Sequence, residues 1–259
     1  MTPRRIAYGI QPSQFGELTL PSGDGPIRGV AVVIHGGFWR QAYGLELGRP
    51  LAAELAAAGW AAWNLEYRRV GGDGGWPETL SDVAAGLDAL AGPGQQAAEG
   101  RLPLDRVVAI GHSAGGHLST WLAARPTLPA DAPGADPAVG LRGVVSQAGV
   151  LDLVDASAHG VGRGAVEDLL GARPELVPDR YTLASPVARL PIGVPVVCVH
   201  GTADVNVPIR QSRRFVAAAA SAGDRAELIE LPGIDHFAVI DPSDPAWRTC
   251  LDAAERLLT

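Results

Sequence analysis

Short apolar runs alternate with longer alanine- and leucine-rich stretches along most of the chain. Six of these runs predict β-strands, and the two near residues 30–34 and 194–199 are apolar almost throughout rather than alternating with polar residues. Continuous apolar runs are typical of parallel strands that are buried on both faces. The predicted strands are residues 29–34, 60–65, 106–110, 143–147, 194–199 and 226–231.

The stretches between these strands carry the start and stop signals of helices. Pro77 falls just inside one predicted helix start, and Gly59 falls just past a predicted helix end. Strands that alternate with helices favour an α/β fold with a mainly parallel sheet and helices on both of its faces. The predicted helices are residues 47–58, 79–91, 114–124, 210–222 and 246–258.

Two stretches break this alternation. Residues 125–140 are rich in proline, alanine, glycine and aspartate and predict a surface loop. Residues 150–191 form an insertion between two predicted strands, with a short helix near 166–170. An ordered insertion of this length is often functional, so we expect a small cap or a pocket wall near the site, with a surface excursion as the alternative. We expect residues 1–259 to form a single domain.

Composition narrows the function classes. Hydrophobic residues make up 47% of the chain and charged residues 19%, a balance that can bury a large core. The formal net charge of −7 argues against a nucleic-acid partner, because phosphate binding needs clustered Lys and Arg. The chain has two cysteines, which predict core thiols rather than a disulfide framework. With neither a signal peptide nor a membrane span visible, we expect a cytoplasmic protein that does not bind a membrane.

The most specific chemical signal is the pentapeptide Gly111-His112-Ser113-Ala114-Gly115, which follows an apolar strand and precedes a helix. In this context the pattern G-x-S-x-G places a serine hydroxyl at the tip of a sharp, strained turn. The flanking glycines remove Cβ atoms that would collide with neighbouring elements. We therefore predict that Ser113 is a nucleophile.

A second glycine-rich turn, His35-Gly36-Gly37-Phe38-Trp39, ends the first apolar strand. Acyl transfer passes through a tetrahedral oxyanion, which needs backbone N–H donors that are already in place. We assign these donors to Gly37, Phe38 and Ala114. A phosphate-binding loop is the rival interpretation, but neither G-x-G-x-x-G nor a Walker-type lysine follows. His35 itself is expected to hold the turn through its ring nitrogens.

A serine hydroxyl needs an adjacent imidazole to take its proton, and the chain has six histidines. His112 and His117 lie too close in sequence to Ser113, His159 lies in the insertion, and His200 ends a strand, where a supporting or packing role is expected. His236 follows the last predicted strand, in a loop that can return over the carboxyl ends of the strands. We predict that His236 is the general base.

The acid that orients the base should lie after a strand between the nucleophile and the base in the sequence. Asp204 satisfies this condition, since it follows the predicted strand 194–199 and leaves room for one helix and one strand before His236. Asp235 and Asp241 are also close to His236 in sequence, but they are expected to be surface or loop-capping groups.

The chain resembles the esterase and lipase branch of the α/β-hydrolases over nearly its whole length. The resemblance rests on the turn at 35–39, the pentapeptide at 111–115, Asp204 and His236. Within that branch, Trp39 and the segment Glu66-Tyr67-Arg68-Arg69 are similar to the kynurenine formamidase-like and small carboxylesterase groups. Phe38 replaces the third glycine of the H-G-G-G pattern. The resemblance implies the α/β-hydrolase fold and hydrolysis through an acyl-enzyme.

The remaining aromatic and charged residues predict the surroundings of the site. Trp39 and Trp76 are expected to line the substrate pocket, whereas Trp60, Trp63 and Trp121 are expected in the core. The segment 66–69 predicts a structural charge network. Neither a metal-ligand spacing nor a nucleotide fingerprint appears, so no metal and no cofactor are expected.

The leading functional hypothesis is a hydrolase of carboxylic esters with short to medium acyl groups. The nearest alternative keeps the machinery and changes the bond to an aryl formamide or a small peptide amide. A third alternative is a non-catalytic binding protein with the same fold. The expected partner is a small ester or amide substrate, and the sequence makes no prediction of the oligomeric state.

Overall fold

The strands form one eight-stranded sheet in the computed structural model, which describes residues 2–23 and 25–259. The strand order is β1-β2-β4-β3-β5-β6-β7-β8; strands β3 to β8 are parallel to one another, whereas β2 runs antiparallel to both β1 and β4. The strands are β1 (Arg4–Ala7), β2 (Phe15–Thr19), β3 (Val30–Ile34), β4 (Ala61–Leu65), β5 (Val107–His112), β6 (Gly143–Gln147), β7 (Val196–Gly201) and β8 (Ala226–Leu231).

The α-helices come between the strands, except the last, which follows β8, and they cover the sheet, as expected for parallel strands that are buried on both faces. They are α1 (Arg49–Ala57), α2 (Glu78–Asp88), α3 (Pro93–Ala97), α4 (Ala114–Ala124), α5 (Leu153–Ala158), α6 (Ala165–Leu170), α7 (Pro178–Ala184), α8 (Arg210–Ser221) and α9 (Pro245–Arg256). Within the described residues, no helix is long and apolar enough to cross a membrane.

Two apolar clusters pack on the two faces of this sheet. The larger includes Val32, Trp63 and Leu118, and the smaller includes Val33, Trp60 and Leu251. Neighbouring residues of one strand therefore belong to different clusters, because successive side chains point to opposite faces. The fold class expected from the sequence is confirmed.

Most boundaries agree with the sequence predictions, and the differences have local causes. Strand β7 begins at Val196, after Pro195, which has no N–H to give to the sheet. The predicted helix 47–58 is shorter, because a 3-10 turn at Leu45–Gly48 precedes α1. Strands β1 and β2 were not predicted at all. The expectation of a single domain over residues 1–259 stays a prediction.

Both cysteines are buried and unpaired. Cys198 lies in β7, and Cys250 lies in α9 on the smaller apolar cluster. Burial raises the pKa of each thiol to about 12. Both groups are therefore protonated core side chains near neutral pH.

Candidate active site

The parallel arrangement brings four loops to one edge of the sheet, since the carboxyl ends of parallel strands meet there. The turn at 35–39 follows β3, and Ser113 follows β5, in direct register with it because Ile34 pairs with Gly111. Asp204 follows β7, and His236 follows β8. Ligand sites of open α/β sheets form at this edge.

Ser113 occupies the strained turn that the pentapeptide predicts. Its φ of 55° and ψ of −116° lie outside the regions that residues with a Cβ favour. A Cβ on Gly111 would lie 2.0 Å from the carbonyl oxygen of Gly115, and a Cβ on Gly115 would lie 2.0 Å from that of Ile34. Only glycine fits these positions, so the sequence pattern has a direct steric cause.

Asp204 and His236 form a buried pair. Nδ1 of His236 lies 2.6 Å from Oδ2 of Asp204, and the Asp204 side chain is fully buried. Oδ1 of Asp204 accepts the backbone N–H groups of Asn206 at 2.8 Å and Val207 at 2.9 Å. A carboxylate only accepts, so Nδ1 of His236 carries the hydrogen and Nε2 is left as the basic nitrogen.

The charge of Asp204 is maintained by hydrogen bonds despite its burial. Burial by itself raises the pKa of this carboxyl, but hydrogen bonds from His200 and His236 outweigh it and hold the pKa well below its usual range. The group is therefore a carboxylate at neutral pH. It can stabilise an imidazolium at His236.

Ser113 and His236 open onto one cavity of about 130 Å³. A groove of about 740 Å³ lies at the amino ends of β7 and β8, but none of Ser113, Asp204 or His236 lines it. The smaller cavity is therefore the candidate site, because it is lined by Ser113 and His236, although the groove has the larger volume. Its lining residues are Gly37, Phe38, Tyr43, Leu47, His112, Ser113, Asn206, His236, Phe237 and Ile240.

The turn after β3 lies directly against the serine. A Cβ on Gly36 would lie 3.1 Å from that of Ser113, and Gly37, Phe38 and Trp39 have positive φ values of 109°, 52° and 57°. Among the described residues, the N–H groups of Gly37, Phe38 and Ala114 have no hydrogen-bond acceptor. The N–H of Ser113 is not free, because it donates to the carbonyl oxygen of Gln147 at 2.8 Å.

A charge network behind this turn holds it in place. Oε1 of Glu66 accepts from Nε2 of His35 at 3.0 Å and from Arg69, and Oε2 accepts the N–H of Leu45. Tyr67 stacks on His35 and donates its hydroxyl hydrogen to the carbonyl oxygen of His35 at 3.0 Å. Burial alone raises the pKa of Glu66, but His35 and Arg69 lower it to about 2. The structural role expected for His35 and residues 66–69 agrees with these contacts.

The structure contradicts the expectation that Trp39 lines the pocket. Trp39 is 1% exposed and packs in the larger apolar cluster, where its indole N–H donates to Nδ1 of His117 at 3.1 Å. Trp76 is half-buried against the same cluster and does not line the cavity either. Burial of these large apolar surfaces is favourable, and the turn directs Trp39 inward.

Other residues take the places that the two tryptophans were expected to fill. Tyr43, Leu47, Phe237 and Ile240 give the cavity its apolar surface. Sequence reasoning missed them, although Phe237 follows the base directly. Asp235 and Asp241 act as expected, since Asp235 accepts two backbone N–H groups of its own loop and Asp241 binds Ser243.

The insertion 150–191 contacts the turn from behind instead of walling the cavity. Arg40 donates from its guanidinium to the carbonyl oxygens of Gly162 at 3.0 Å and Arg163 at 3.3 Å. The Phe38 ring lies against Gly162, where a Cβ would be 2.4 Å from the ring. None of the residues that line the cavity comes from the insertion. Its role as a small cap stays a prediction.

No group of three or more His, Cys, Asp or Glu side chains that could hold a metal ion occurs in the described part of the chain.

The sheet order and the strand, turn and helix around Ser113 are those of an α/β-hydrolase, and the similarities place the chain in the esterase branch of this class. A family profile described as BD-FAE matches residues 17–218. The chain therefore belongs to the BD-FAE family.

The chain is also similar to individual proteins. Esterase LipC of Mycobacterium tuberculosis is 29% identical over 265 residues, which cover 92% of this chain and 60% of LipC. The Est2 esterase of Thermogutta terrifontis, solved with propionate bound, superimposes with a TM-score of 0.76 at 25% identity and covers 99% and 93% of the two chains. A carbohydrate esterase from gut microbiota, in a truncated form, has a TM-score of 0.82 at 22% identity, with 99% and 96% covered. The chain spans about 60% of the length of LipC.

Proposed function

We propose that this chain is a serine hydrolase that cleaves carboxylic esters through an acyl-enzyme, with Ser113 as nucleophile, His236 as general base and Asp204 as the orienting acid. The observation that carries the proposal is the buried 2.6 Å contact between Asp204 and His236, whose ring opens onto the cavity that also holds Ser113 on its strained turn. The esterase names of the similar proteins support the same reaction class.

In the first half of the reaction, Oγ of Ser113 attacks the ester carbonyl carbon while Nε2 of His236 takes the hydroxyl proton. The new C–O bond pushes the carbonyl electron pair onto oxygen, and the resulting oxyanion is proposed to bind the N–H groups of Gly37, Phe38 and Ala114. His236 then gives its proton to the leaving alkoxide, and the C–O bond to the alcohol breaks. Asp204 stabilises the imidazolium between these two steps.

In the second half, water replaces the alcohol. His236 takes a proton from the water as its oxygen attacks the acyl carbon, and the same three N–H groups bind the second oxyanion. Collapse releases the carboxylic acid and returns the proton to Ser113. Each preplaced donor is worth about 10²- to 10³-fold in rate.

The proposed substrates carry short to medium acyl groups. A cavity of about 130 Å³ with apolar walls at Leu47 and Ile240 suits a small alkyl chain better than a long one. The propionate bound in Est2 is a short acyl group of the same kind. The proposed partner is thus a small-molecule ester, and the cytoplasmic location stays a prediction.

Fluorophosphonate labelling with hydrolysis of p-nitrophenyl butyrate tests this function. The wild-type chain should be labelled rapidly and should hydrolyse the ester, whereas Ser113→Ala should lose both properties, with a fall in kcat of about 10⁴- to 10⁶-fold. An unlabelled wild-type chain would identify a binding protein. Turnover of N-formylkynurenine far above that of any ester would transfer the function to formamide hydrolysis.

The acid assignment has a matched control. Asp204→Asn should fold normally and lose several orders of magnitude in kcat, because an amide favours the wrong imidazole tautomer. Asp235→Asn should be nearly silent, since the amide oxygen can still accept the N–H groups of Phe237 and Ala238. The reverse result would move the acid role to Asp235.

A further inference from the structure

A second histidine besides His236 contacts the proposed acid, at the same carboxylate oxygen. His200 lies near the end of β7 and is fully buried. Its Nε2 lies 2.9 Å from the carbonyl oxygen of Val207 and 3.2 Å from Oδ2 of Asp204, and its Nδ1 lies 2.8 Å from Oγ of Ser212 in α8. The mechanism proposed above does not use this ring.

The partners of His200 define its tautomer. A carbonyl oxygen and a carboxylate oxygen both only accept, so the ring hydrogen belongs on Nε2. Nδ1 can then accept the hydroxyl hydrogen of Ser212. The opposite tautomer would place the Nε2 lone pair against two oxygen atoms in a buried site, which is costly.

The Nε2 hydrogen of His200 is directed at the carbonyl oxygen of Val207 and also faces Oδ2 of Asp204 at 3.2 Å, so His200 adds one more contact to this carboxylate. Oδ1 is held by two backbone N–H groups, and Oδ2 is shared by His236 and His200. Val207 is fixed at both of its polar groups, because its N–H binds Asp204 and its carbonyl oxygen binds His200. Rotation of the carboxylate would break several of these bonds at once.

We propose that His200 is a positioning residue, which holds the carboxylate of Asp204 and the loop 204–207 in the orientation that His236 requires. The proposal rests on the proposed hydrolase function. His200 acts through Asp204 and touches neither the cavity nor the substrate.

Kinetics of two His200 variants and one control variant test the role. His200→Leu removes both ring nitrogens and with them the contacts to Val207, Asp204 and Ser212. We expect kcat to fall about 10- to 100-fold, the effect of losing one hydrogen bond to a charged group, with a smaller change in KM. His200→Gln keeps an amide N–H near the position of Nε2 and should recover part of that loss. His159→Gln is the control, since this histidine is exposed in the insertion, and it should match the wild type. Equal kcat in all three variants would overturn the proposal.

Coupling to Asp204 separates positioning from a general loss of stability. In the Asp204→Asn background, His200→Leu should cause little further loss of kcat, because the group through which it acts is already disabled. Losses that multiply would show that His200 acts on the whole fold and would overturn the proposal. Thermal melting of each variant identifies any unfolded sample.

A proton NMR spectrum needs no substrate and so distinguishes failure of this proposal from failure of the esterase function. In the wild type, the Nδ1 hydrogen of His236 lies in the 2.6 Å contact with Oδ2 of Asp204 and should give a strongly downfield resonance. That resonance should move upfield in His200→Leu, because a misoriented carboxylate accepts this hydrogen less well, and it should move back in part in His200→Gln. An unchanged resonance in His200→Leu would refute the positioning role, even in a chain without ester hydrolysis.

Discussion

Nε2 of His112 donates its hydrogen to the backbone carbonyl oxygen of His236 at 2.8 Å, and the two imidazole rings lie 4.5 Å apart. His112, the residue before the proposed nucleophile, thus anchors the loop that carries the proposed base, across 124 positions of sequence. Burial, together with the neighbouring His236, lowers the pKa of His112 to about 3. His112 therefore stays neutral near neutral pH.

Loss of this anchor should impair catalysis. His112→Leu leaves a buried carbonyl oxygen without its donor, so we expect kcat to fall about tenfold, which corresponds to an unsatisfied group costing about 1–3 kcal/mol. His112→Gln offers an amide N–H at a similar reach and should lose less. Steady-state kinetics on p-nitrophenyl butyrate, with melting curves, measure both variants. Full kcat in His112→Leu would show that the loop is held by other contacts.

The insertion should influence the oxyanion turn through Phe38. Gly162 and Gly160 have similar positive φ values of 69° and 64°, but only a Cβ on Gly162 meets the Phe38 ring. Both alanine variants should therefore lose stability, Gly162→Ala by more because its Cβ must displace the Phe38 ring, whereas only Gly162→Ala should lower kcat. Melting temperatures and kcat, compared between the two variants, decide this. Equal kcat in the two variants would mean that displacement of Phe38 does not affect catalysis.

Acyl chain length should matter because of the walls of the cavity. We expect kcat/KM for p-nitrophenyl acetate and butyrate to exceed that for the decanoate and palmitate esters. Leu47→Ala and Ile240→Ala enlarge the cavity and should shift the optimum to longer chains. An optimum at the decanoate or beyond in the wild type would contradict the short-acyl proposal.

Stability should fall in mild acid because of two buried histidines. Burial is the largest cause that lowers the pKa of His117 to about 4 and that of His112 to about 3. The pKa of histidine in an unfolded chain is about 6.5. As the pH falls below this value, the unfolded chain binds protons that the folded chain excludes, so the free energy of unfolding decreases by up to about 1.4 kcal/mol per pH unit for each histidine. The lowered pKa of Glu66 reduces the free energy of unfolding only when the pH falls below about 4.5, the usual pKa of a glutamate.

Urea unfolding between about pH 7 and pH 5 measures this dependence. His117→Gln removes one of the two groups and should show a shallower slope than the wild type, even if its stability at neutral pH is lower. A flat wild-type profile over this range would mean that neither histidine is desolvated as the structure indicates.

The buried parallel strands and the positions of the chemistry could be predicted because both leave local patterns. Strand β6 and strand β8 have the predicted bounds, and the glycines beside Ser113 mark a turn that tolerates no other residue. The order of Ser113, Asp204 and His236 along the chain, combined with a parallel sheet, is enough to bring them to one edge.

The edge strands and the pocket walls could not be predicted, because they depend on contacts distant in sequence. Strand β1 is a short charged segment that exists as a strand only through its pairing with β2. Trp39 follows a glycine turn that could direct it toward the cavity or the core, and its partner His117 lies 78 positions away. Leu47 and Ile240 become neighbours of Ser113 only when the sheet forms.

The buried thiols of Cys198 and Cys250 can be used to measure transient unfolding of the chain. One lies in the buried strand β7 and the other in the last helix, and neither ionises appreciably near neutral pH. A thiol-directed alkylating reagent should therefore modify molecules only while they are transiently unfolded. Mass spectrometry after timed exposure would count such openings without any engineered label, and alkylation at Cys250 alone would identify detachment of the last helix from the sheet.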